Sequence, residues 1–208
     1  MLLQPLFTTV APLILASSSP RRRQMLQTMG LSFTVVPAAV DETPLPGEPP
    51  PDFAHRMASA KAQTVATRNP DSWILAADTV VTLDGLILGK PRDRKEALTI
   101  LRRLSGRTHQ VVSAISLCSP ARGVAHTETD TTSVSFIAAP DELLAAYVAT
   151  GEPMDKAGAY GIQGAGAFLV RRIEGSCANV IGLPIDRAIA LLLCHKIIIP
   201  AASPSPAS

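Results

Sequence analysis

The chain has 208 residues, and its 19 Lys and Arg residues nearly balance its 17 Asp and Glu residues, so the formal charge is +2 at pH 7. Charged residues make up 17% of the sequence against a usual ~25%, and hydrophobic residues make up 47%, which is enough for a sizeable core. This composition excludes wholesale disorder. The near-neutral balance and the 4% of aromatic residues disfavour stable nucleic-acid binding.

The cysteines and the apolar runs indicate the compartment. Cys118, Cys177 and Cys194 are widely spaced and form no Cys-x-x-Cys pair, so neither a disulfide framework nor a zinc cluster is expected. A reducing, cytoplasmic compartment fits this pattern best. No apolar run reaches the ~18 residues that a membrane-spanning helix needs, so we expect no membrane partner.

The first residues are apolar and end in small residues, as a signal peptide does. They lack a positively charged beginning, and Pro5 and Pro12 interrupt them. We therefore interpret residues 1–12 as an N-terminal extension and residues 13–195 as one domain, or as two small lobes that share a cleft. Residues 196–208 are rich in Pro, Ala and Ser towards their end and are predicted to form a flexible tail.

A buried strand over Leu13 to Leu15 is predicted to lead through a Ser-rich turn into a helix. Ser19 is a suitable N-cap, Pro20 suits the first helical position, and Gly30 ends the segment. The sequence SSSPRRR at 17–23 places hydroxyl groups, free backbone N–H groups and arginines at this helix start. Such a group binds anions. The alternative is a capped helix with solvated arginines.

A lysine occupies an unexpected position on the next predicted helix. The Pro-rich loop 39–52 carries Glu42, and a helix with apolar residues at helical spacing begins at Asp52. Lys61 lies four residues after Met57, on the apolar side of that helix. Either its side chain extends past the edge of the core, or it points into a site that binds an anion.

An acidic residue interrupts the strongly apolar stretch 72–83, which is predicted to be a buried strand. Asp84 and Gly85 then predict a type I′ hairpin turn, and Lys90 follows. A carboxylate at Asp78 is costly unless it is paired, hydrogen-bonded or bound to a metal. The alternative is that Asp78 meets water at a strand end or bulge.

The second half of the chain continues the alternation of strands and helices. Strands are predicted over Thr108 to Cys118 and Thr127 to Ile137, and a helix begins at Pro140. The stretch Ile173 to Leu183 is predicted to mix turns and strand, and Pro184 starts a last helix. Together with the hairpin, this alternation predicts an α/β fold whose sheet is not purely parallel.

Common nucleotide and hydrolase motifs are absent. GLILGKP at 85–91 is one residue too short for a P-loop, and GAGAFL at 164–169 lacks the third glycine of a dinucleotide fingerprint. No G-x-S-x-G elbow occurs.

What remains is a set of charged residues in loops or at unusual positions on apolar elements: Arg21, Arg22, Glu42, Lys61, Asp78, Lys90 and Lys156. Cations of this kind suit a polyphosphate, and the acids suit a hard divalent cation that also takes phosphate oxygens. The combination predicts hydrolysis of a phosphoanhydride, in which an acid orients or deprotonates water.

Seven motifs, in order, resemble those of the Maf family of nucleoside triphosphate pyrophosphatases: ASSSPRR (16–22), VDE (40–42), AADTVV (76–81), GKPRD (89–93), LSGRTHQV (104–111), EPMDKAGAYGIQG (152–164) and EGS…NVIGLP (174–184). The resemblance runs from about Leu13 to Leu193. It implies cleavage of a nucleoside triphosphate to the monophosphate and pyrophosphate, with Mg²⁺ or Mn²⁺ as cofactor. It also implies an elongated mixed sheet with flanking helices and two lobes around a central cleft, similar to inosine triphosphate pyrophosphatase, and commonly a homodimer.

The DKAGAYGIQG form (155–164) resembles the branch that acts on dTTP and UTP, with modified pyrimidine nucleotides as further candidates. Carried over to this sequence, the resemblance implies that Asp78 is the catalytic acid and that Arg21, Thr79 and Gln163 set specificity. Its other site residues fall on Ser17, Arg22, Glu42, Lys61 and Lys90, with Glu42 and Asp78 as metal ligands. The chain departs from the family at Cys177, where an aromatic residue is more usual.

Two other functions stay open. The same cleft could sense nucleotides without hydrolysing them, as a regulator linked to cell division, or it could act on 7-methyl-GTP. The presence of Asp78, Lys61 and Lys90 argues against an inactive enzyme.

Overall fold

The computed structural model describes residues 4–201, which form an α/β fold. The strands are β1 (Phe7–Thr9), β2 (Leu13–Leu15), β3 (Thr34–Val35), β4 (Trp73–Leu83), β5 (Leu86–Leu88), β6 (Thr108–Ser119), β7 (Val124–Phe136), β8 (Val170–Glu174) and β9 (Ile198–Pro200). The α-helices are α1 (Pro20–Thr28), α2 (Pro50–Ala66), α3 (Arg94–Leu104), α4 (Asp141–Ala149), α5 (Cys177–Ile181) and α6 (Ile185–Cys194).

Within residues 4–201 the main sheet has seven strands and is mixed, as the sequence predicts. Its order is β3-β2-β4-β6-β7-β8, and β5 pairs with β4. Strand β2 runs parallel to both β3 and β4, whereas the other pairs are antiparallel. The predicted fold class is confirmed.

The long strands β4 and β6 extend through both halves of the molecule. On one face of β4, Leu75 and Ala77 pack in one apolar cluster and Val81 and Leu83 pack in another. Side chains alternate between the two faces of a strand, so Thr79 lies on this same face, between the two clusters. The middle of β4 is therefore where polar residues meet the cleft between two apolar lobes.

Local signals in the sequence correctly predict several turns and caps. The Ser19 side chain accepts a hydrogen bond from the backbone N–H of Arg22 at the start of α1. Asp84 and Gly85 both have positive φ, 53° and 78°, as a type I′ turn requires. The stretch 173–183 differs from the expectation, because Ser176 caps the short helix α5 there.

The two ends of the domain pair with each other. Strand β1 is antiparallel to β9, with Thr8 opposite Ile199. The structure therefore differs from the expectation of a flexible tail for residues 198–200, since this pairing joins segments that no local signal connects. Residues 1–3 of the predicted extension and residues 202–208 of the predicted tail lie outside the described residues.

No helix within residues 4–201 combines the length and hydrophobicity that a membrane crossing requires. All three cysteines have free thiols, with Cys118 buried and Cys177 and Cys194 exposed.

Candidate active site

A cleft of about 1000 Å³ lies at the centre of the main sheet. Its walls come from the Ser-rich turn before α1, the middle of β4, the segment after β5 and the loop that follows α4. The structure brings all the site residues that the resemblance implies to this cleft: Ser17, Arg21, Arg22, Glu42, Lys61, Asp78, Thr79, Lys90 and Gln163. Residues from both halves of the chain thus meet in one place.

Lys61 bridges two carboxylates at the floor of the cleft. Its Nζ lies 2.6 Å from Oδ1 of Asp78 and 2.6 Å from Oε1 of Glu42. The side chains of Lys61 and Asp78 are 11% and 10% exposed, whereas that of Glu42 is 57% exposed. Lys61 therefore points into the site, and Asp78 lies within an unbroken strand rather than at a strand end or bulge.

The charges of this cluster compensate each other only in part. Partial burial raises the pKa of Glu42. The hydrogen bond and charge of Lys61, with the charges of Lys90 and Arg22, have the larger opposite effect, so the pKa lies below its ordinary value. Among the described residues, Asp78 receives a hydrogen bond only from Lys61, and only on Oδ1. The second oxygen of Asp78 can therefore accept a proton or a hydrogen bond from a ligand or water.

Arg22 forms one wall of the cleft. Its Nε donates to the carbonyl of Gly182 at 2.8 Å, and its two terminal nitrogens donate to Thr79 Oγ1 at 3.0 Å and Ser17 Oγ at 3.3 Å. Burial lowers the pKa of Arg22, and the charge of Asp78 opposes that shift. The arginine guanidinium is always protonated in proteins, so this wall of the cleft carries a fixed positive charge.

Thr79 takes part in a buried network behind Arg22. Its Oγ1 lies 2.8 Å from Ser113 Oγ and 3.1 Å from the carbonyl oxygen of Gly182. Ser113 in turn donates to the carbonyl of Asn179 at 3.0 Å. The Thr79 hydroxyl is therefore engaged by protein groups, and it helps to hold the Arg22 guanidinium.

Arg21, in the first turn of α1, reaches the loop after α4. Its Nη1 donates to Oδ2 of Asp155 at 3.1 Å, and Lys156 Nζ lies 2.6 Å from Oδ1 of the same carboxylate. The hydrogen bonds among residues 4–201 include none made by the side chains of Lys90 or Gln163, both of which are exposed at the cleft. These two side chains can bind a ligand without first breaking a hydrogen bond to another residue within 4–201.

Sequence reasoning missed several polar residues that hold this site. Ser113 and Asn179 are buried, and Asp155 contacts Arg21. Ser113 could have been found by the signal that identified Asp78, since it is a polar residue within an apolar strand. Asn179 lies in a stretch without a clear period, and its contacts depend on residues far away in the chain.

The side chains of the cleft include oxygen ligands that a metal ion could use. Within residues 4–201, no three or more His, Cys, Asp or Glu side chains are grouped to hold one. The cleft offers the carboxylates of Glu42 and Asp78, both in contact with Lys61. One or two carboxylates suit Mg²⁺, which takes its remaining ligands from water and phosphate. The residues therefore fit a hard divalent cation that arrives with a phosphate ligand.

The fold and the cleft define an α/β protein with a site for a polyanion, in which fixed cations surround a buried carboxylate. The chain belongs to the Maf family, since the family model described as "Maf-like protein" matches residues 12–194.

Individual relatives are similar over most of their length. The chain is 53% identical to the dTTP/UTP pyrophosphatase of Nitratidesulfovibrio vulgaris over 188 residues, which cover 90% of this chain and 89% of that protein. It is 48% identical to the dTTP/UTP pyrophosphatase of Desulfotalea psychrophila, with 90% and 96% covered. The identity with the enzyme of the same name from Myxococcus xanthus is 49%, with 86% and 90% covered.

Among solved structures, the fold is similar to that of the Staphylococcus aureus Ham1 protein. The TM-score is 0.53 at 15% sequence identity, and the match covers 89% of this chain and 100% of that one. This likeness supports the fold alone.

Proposed function

We propose that the protein hydrolyses dTTP and UTP between the α and β phosphates, which yields the nucleoside monophosphate and pyrophosphate. The observation that carries this proposal is the geometry of Asp78, a buried carboxylate at the cleft with one oxygen bound by Lys61. The names of the relatives at 48% to 53% identity support the substrates.

Asp78 is the catalytic base in this proposal. Lys61 fixes the orientation of the carboxylate through Oδ1, and the other oxygen accepts a proton from the attacking water. The water oxygen bonds to phosphorus, the bridging oxygen leaves with pyrophosphate, and the proton passes to Asp78.

The cations of the cleft bind the triphosphate. Arg22 is held in place by Ser17, Thr79 and Gly182, and it presents a fixed positive charge. The backbone N–H groups at the start of α1 add to this field. Lys90, which is exposed at the cleft, reaches a bound phosphate by rotation of its side chain. Together these groups stabilise the charge that develops on the leaving pyrophosphate.

Glu42 and Asp78 are the residues that would hold a divalent cation, Mg²⁺ or Mn²⁺, together with phosphate oxygens. When bound, such an ion neutralises charge on the phosphates. Chelation by EDTA is therefore expected to abolish pyrophosphate release, and added Mg²⁺ or Mn²⁺ to restore it. Glu42→Gln is expected to raise the metal concentration needed for half-maximal rate. Turnover in EDTA would contradict a metal role for both carboxylates.

Gln163 is proposed to recognise the base. Uracil and thymine present O4 as an acceptor beside N3–H as a donor, and a glutamine amide offers the matching pair on one planar group. Arg21 and Thr79 are also proposed to contribute to specificity, Arg21 through its contact with Asp155 and Thr79 through its hydrogen bond with Arg22.

The activity is tested by pyrophosphate release from dTTP, UTP, dCTP, ATP, GTP and 7-methyl-GTP with Mg²⁺ present, and Asp78→Asn serves as the inactive control. Preferred hydrolysis of dTTP and UTP supports the proposal. Binding of dTTP without pyrophosphate release would instead favour a nucleotide sensor, and preferred hydrolysis of 7-methyl-GTP would contradict the proposed specificity.

A cytoplasmic location and a homodimeric state also form part of the proposal. The free thiols of Cys118, Cys177 and Cys194 are compatible with a reducing compartment. Light scattering after size exclusion tests the oligomeric state, and a mass of one chain would contradict a dimer.

A further inference from the structure

The half-buried carboxylate of Glu152 contacts the glycine-rich loop (161–166) that carries Gln163. Glu152 belongs to a 3₁₀ turn, Glu152–Asp155, that follows α4. Its Oε2 accepts a hydrogen bond from the backbone N–H of Ala165 at 2.8 Å, and its Oε1 accepts one from the backbone N–H of Gly166 at 3.2 Å. The carboxylate thus binds the end of the loop.

The same carboxylate reaches the start of the loop through a tyrosine. Tyr147 is buried, and its hydroxyl donates to Oε1 of Glu152 at 2.9 Å. That hydroxyl also accepts a hydrogen bond from the backbone N–H of Gly161 at 3.1 Å. Glu152 and Tyr147 therefore fasten both ends of the loop, with Gln163 between them.

The loop fits closely against this pair. A Cβ atom at Gly164 would lie 2.5 Å from Oε2 of Glu152, and a Cβ at Gly166 would meet the hydroxyl of Tyr147. A Cβ at Gly161 would lie 2.7 Å from the side chain of Lys156. These glycines allow the backbone to approach its supports at hydrogen-bonding distance.

The charge of Glu152 is stabilised by several protein groups. Burial raises the pKa of Glu152. The hydrogen bonds from the N–H groups of Gly166 and Ala165 and from the Tyr147 hydroxyl together outweigh this effect, so the pKa lies below its ordinary value. Its two oxygens receive three hydrogen bonds from protein donors. Both oxygens of Glu152 therefore support the loop and its tyrosine neighbour.

We propose that Glu152 is a positioning residue that sets base selectivity, because it holds the glycine-rich loop in the conformation that presents Gln163 to the base. This inference rests on the proposed function. A fixed backbone sets the distance and direction from which the Gln163 amide meets the base edge, and a loop that can shift relaxes this geometry and with it the discrimination between the uracil or thymine pattern and the cytosine pattern.

The test is Glu152→Gln, which keeps the size of the side chain but turns an amide NH₂ group towards backbone donors. We expect kcat/KM for dTTP to fall about 10- to 100-fold while that for dCTP changes less than about threefold, so that the dTTP to dCTP ratio narrows. Glu142→Gln is the matched control, since Glu142 is exposed on α4, and it should leave the ratio unchanged. An equal loss on both substrates would overturn the proposal, because it would indicate a merely structural role.

A double variant tests whether Glu152 acts through Gln163. Added to Gln163→Ala, Glu152→Gln should change the dTTP to dCTP ratio less than about twofold, because residues that act as one unit are not additive. A full, independent effect in that background would contradict the proposal. Should Glu152→Gln fail to fold, Tyr147→Phe removes the hydroxyl that bonds both Glu152 and Gly161, leaves the Glu152 carboxylate in place and is expected to narrow the ratio in the same direction. An unchanged ratio would refute the proposal.

Pyrophosphate release by the wild-type protein distinguishes a failure of the proposed function from a failure of the positioning role. If that protein releases no pyrophosphate, the dTTP to dCTP ratio is measured instead from the Kd values of the intact nucleotides. Glu152→Gln is then expected to narrow the ratio of Kd values, and an unchanged ratio would contradict the positioning role independently of catalysis.

Discussion

The ammonium group of Lys61 lies 2.6 Å from Oδ1 of Asp78, between a helix and the middle of the central strand, where each side chain is about nine-tenths buried. Isolated, either charge would be strongly destabilising there. Lys61 and Asp78, with Glu42 as a third partner, stabilise each other's charge. The second oxygen of Asp78 makes no hydrogen bond within residues 4–201 and can accept a proton. A residue pair that is costly for stability is thus retained at the point where the reaction requires it.

Replacement of Asp78 by Asn tests the base. The amide keeps the shape of the side chain but accepts no proton, so turnover of dTTP should fall on the order of 10²- to 10⁴-fold. Because Lys61 loses one of its two partners, we also expect the free energy of unfolding to fall by about 1 to 3 kcal/mol. Pyrophosphate release and urea denaturation measure the two effects. A variant with more than about a tenth of the wild-type rate would exclude Asp78 as the base.

Lys61 and Lys90 are expected to respond differently to substitution by alanine. Lys61→Ala should reduce both kcat/KM and the melting temperature, because it leaves Asp78 and Glu42 without their shared partner. Lys90→Ala should reduce kcat/KM by an amount equivalent to about 1 to 3 kcal/mol without changing the melting temperature, since Lys90 is exposed.

Kinetics with dTTP and thermal denaturation separate the two lysines. Lys95→Ala is the control, since Lys95 is exposed on α3 away from the cleft. Unchanged kinetics for Lys61→Ala would restore the interpretation that this lysine only covers the edge of the core.

The buried His109 makes stability dependent on pH. Burial lowers its pKa to about 4, and its Nε2 lies 2.9 Å from the hydroxyl of Tyr160. The unfolded chain takes up the proton near pH 6.5, before the folded protein does, so stability is complete above that pH and is lost as the pH falls towards 4. We expect a loss of about 2 kcal/mol between pH 8 and pH 5 from this group.

The measurement is the free energy of unfolding at both pH values for the wild type and for His109→Phe, which lacks the titrating group. The difference between the two pH values should shrink in the variant. A titration of the His109 ring by NMR provides a second readout, and a midpoint near 6.5 in the folded protein would contradict the argument.

Selectivity for the base should depend on Gln163. We expect dTTP and UTP to be hydrolysed well ahead of dCTP, ATP and GTP, since a mismatch leaves polar groups of the site unpaired. Gln163→Ala should narrow this gap about 10- to 100-fold, mainly by slowing the preferred substrates. Gln24→Ala, an exposed position on α1, is the control. An unchanged preference in Gln163→Ala would remove the residue from base recognition.

Much of the local structure could be predicted because its signals lie within a few residues. Ser19 before Pro20 determined the start of α1, and Asp84 with Gly85 determined the hairpin. Asp78 and Lys61 stood out for a related reason, since a charge within an apolar pattern requires a partner or a function. The resemblance of the motifs to the Maf family suggested a role for each of these residues, which the spacing of residues alone does not provide.

Which residues are partners was decided only by the tertiary structure. Lys61 with Asp78 and Arg22 with Thr79 each join different elements, and the contacts of Glu152 depend on a loop more than ten residues away. The pairing of β1 with β9 likewise could not be predicted, because it joins segments at opposite ends of the chain that no local signal connects. Such contacts depend on which surfaces are buried against each other when the whole sheet forms. The sequence by itself therefore determined the local elements and the residue types of the site, and the packing of distant segments decided the geometry in which they act.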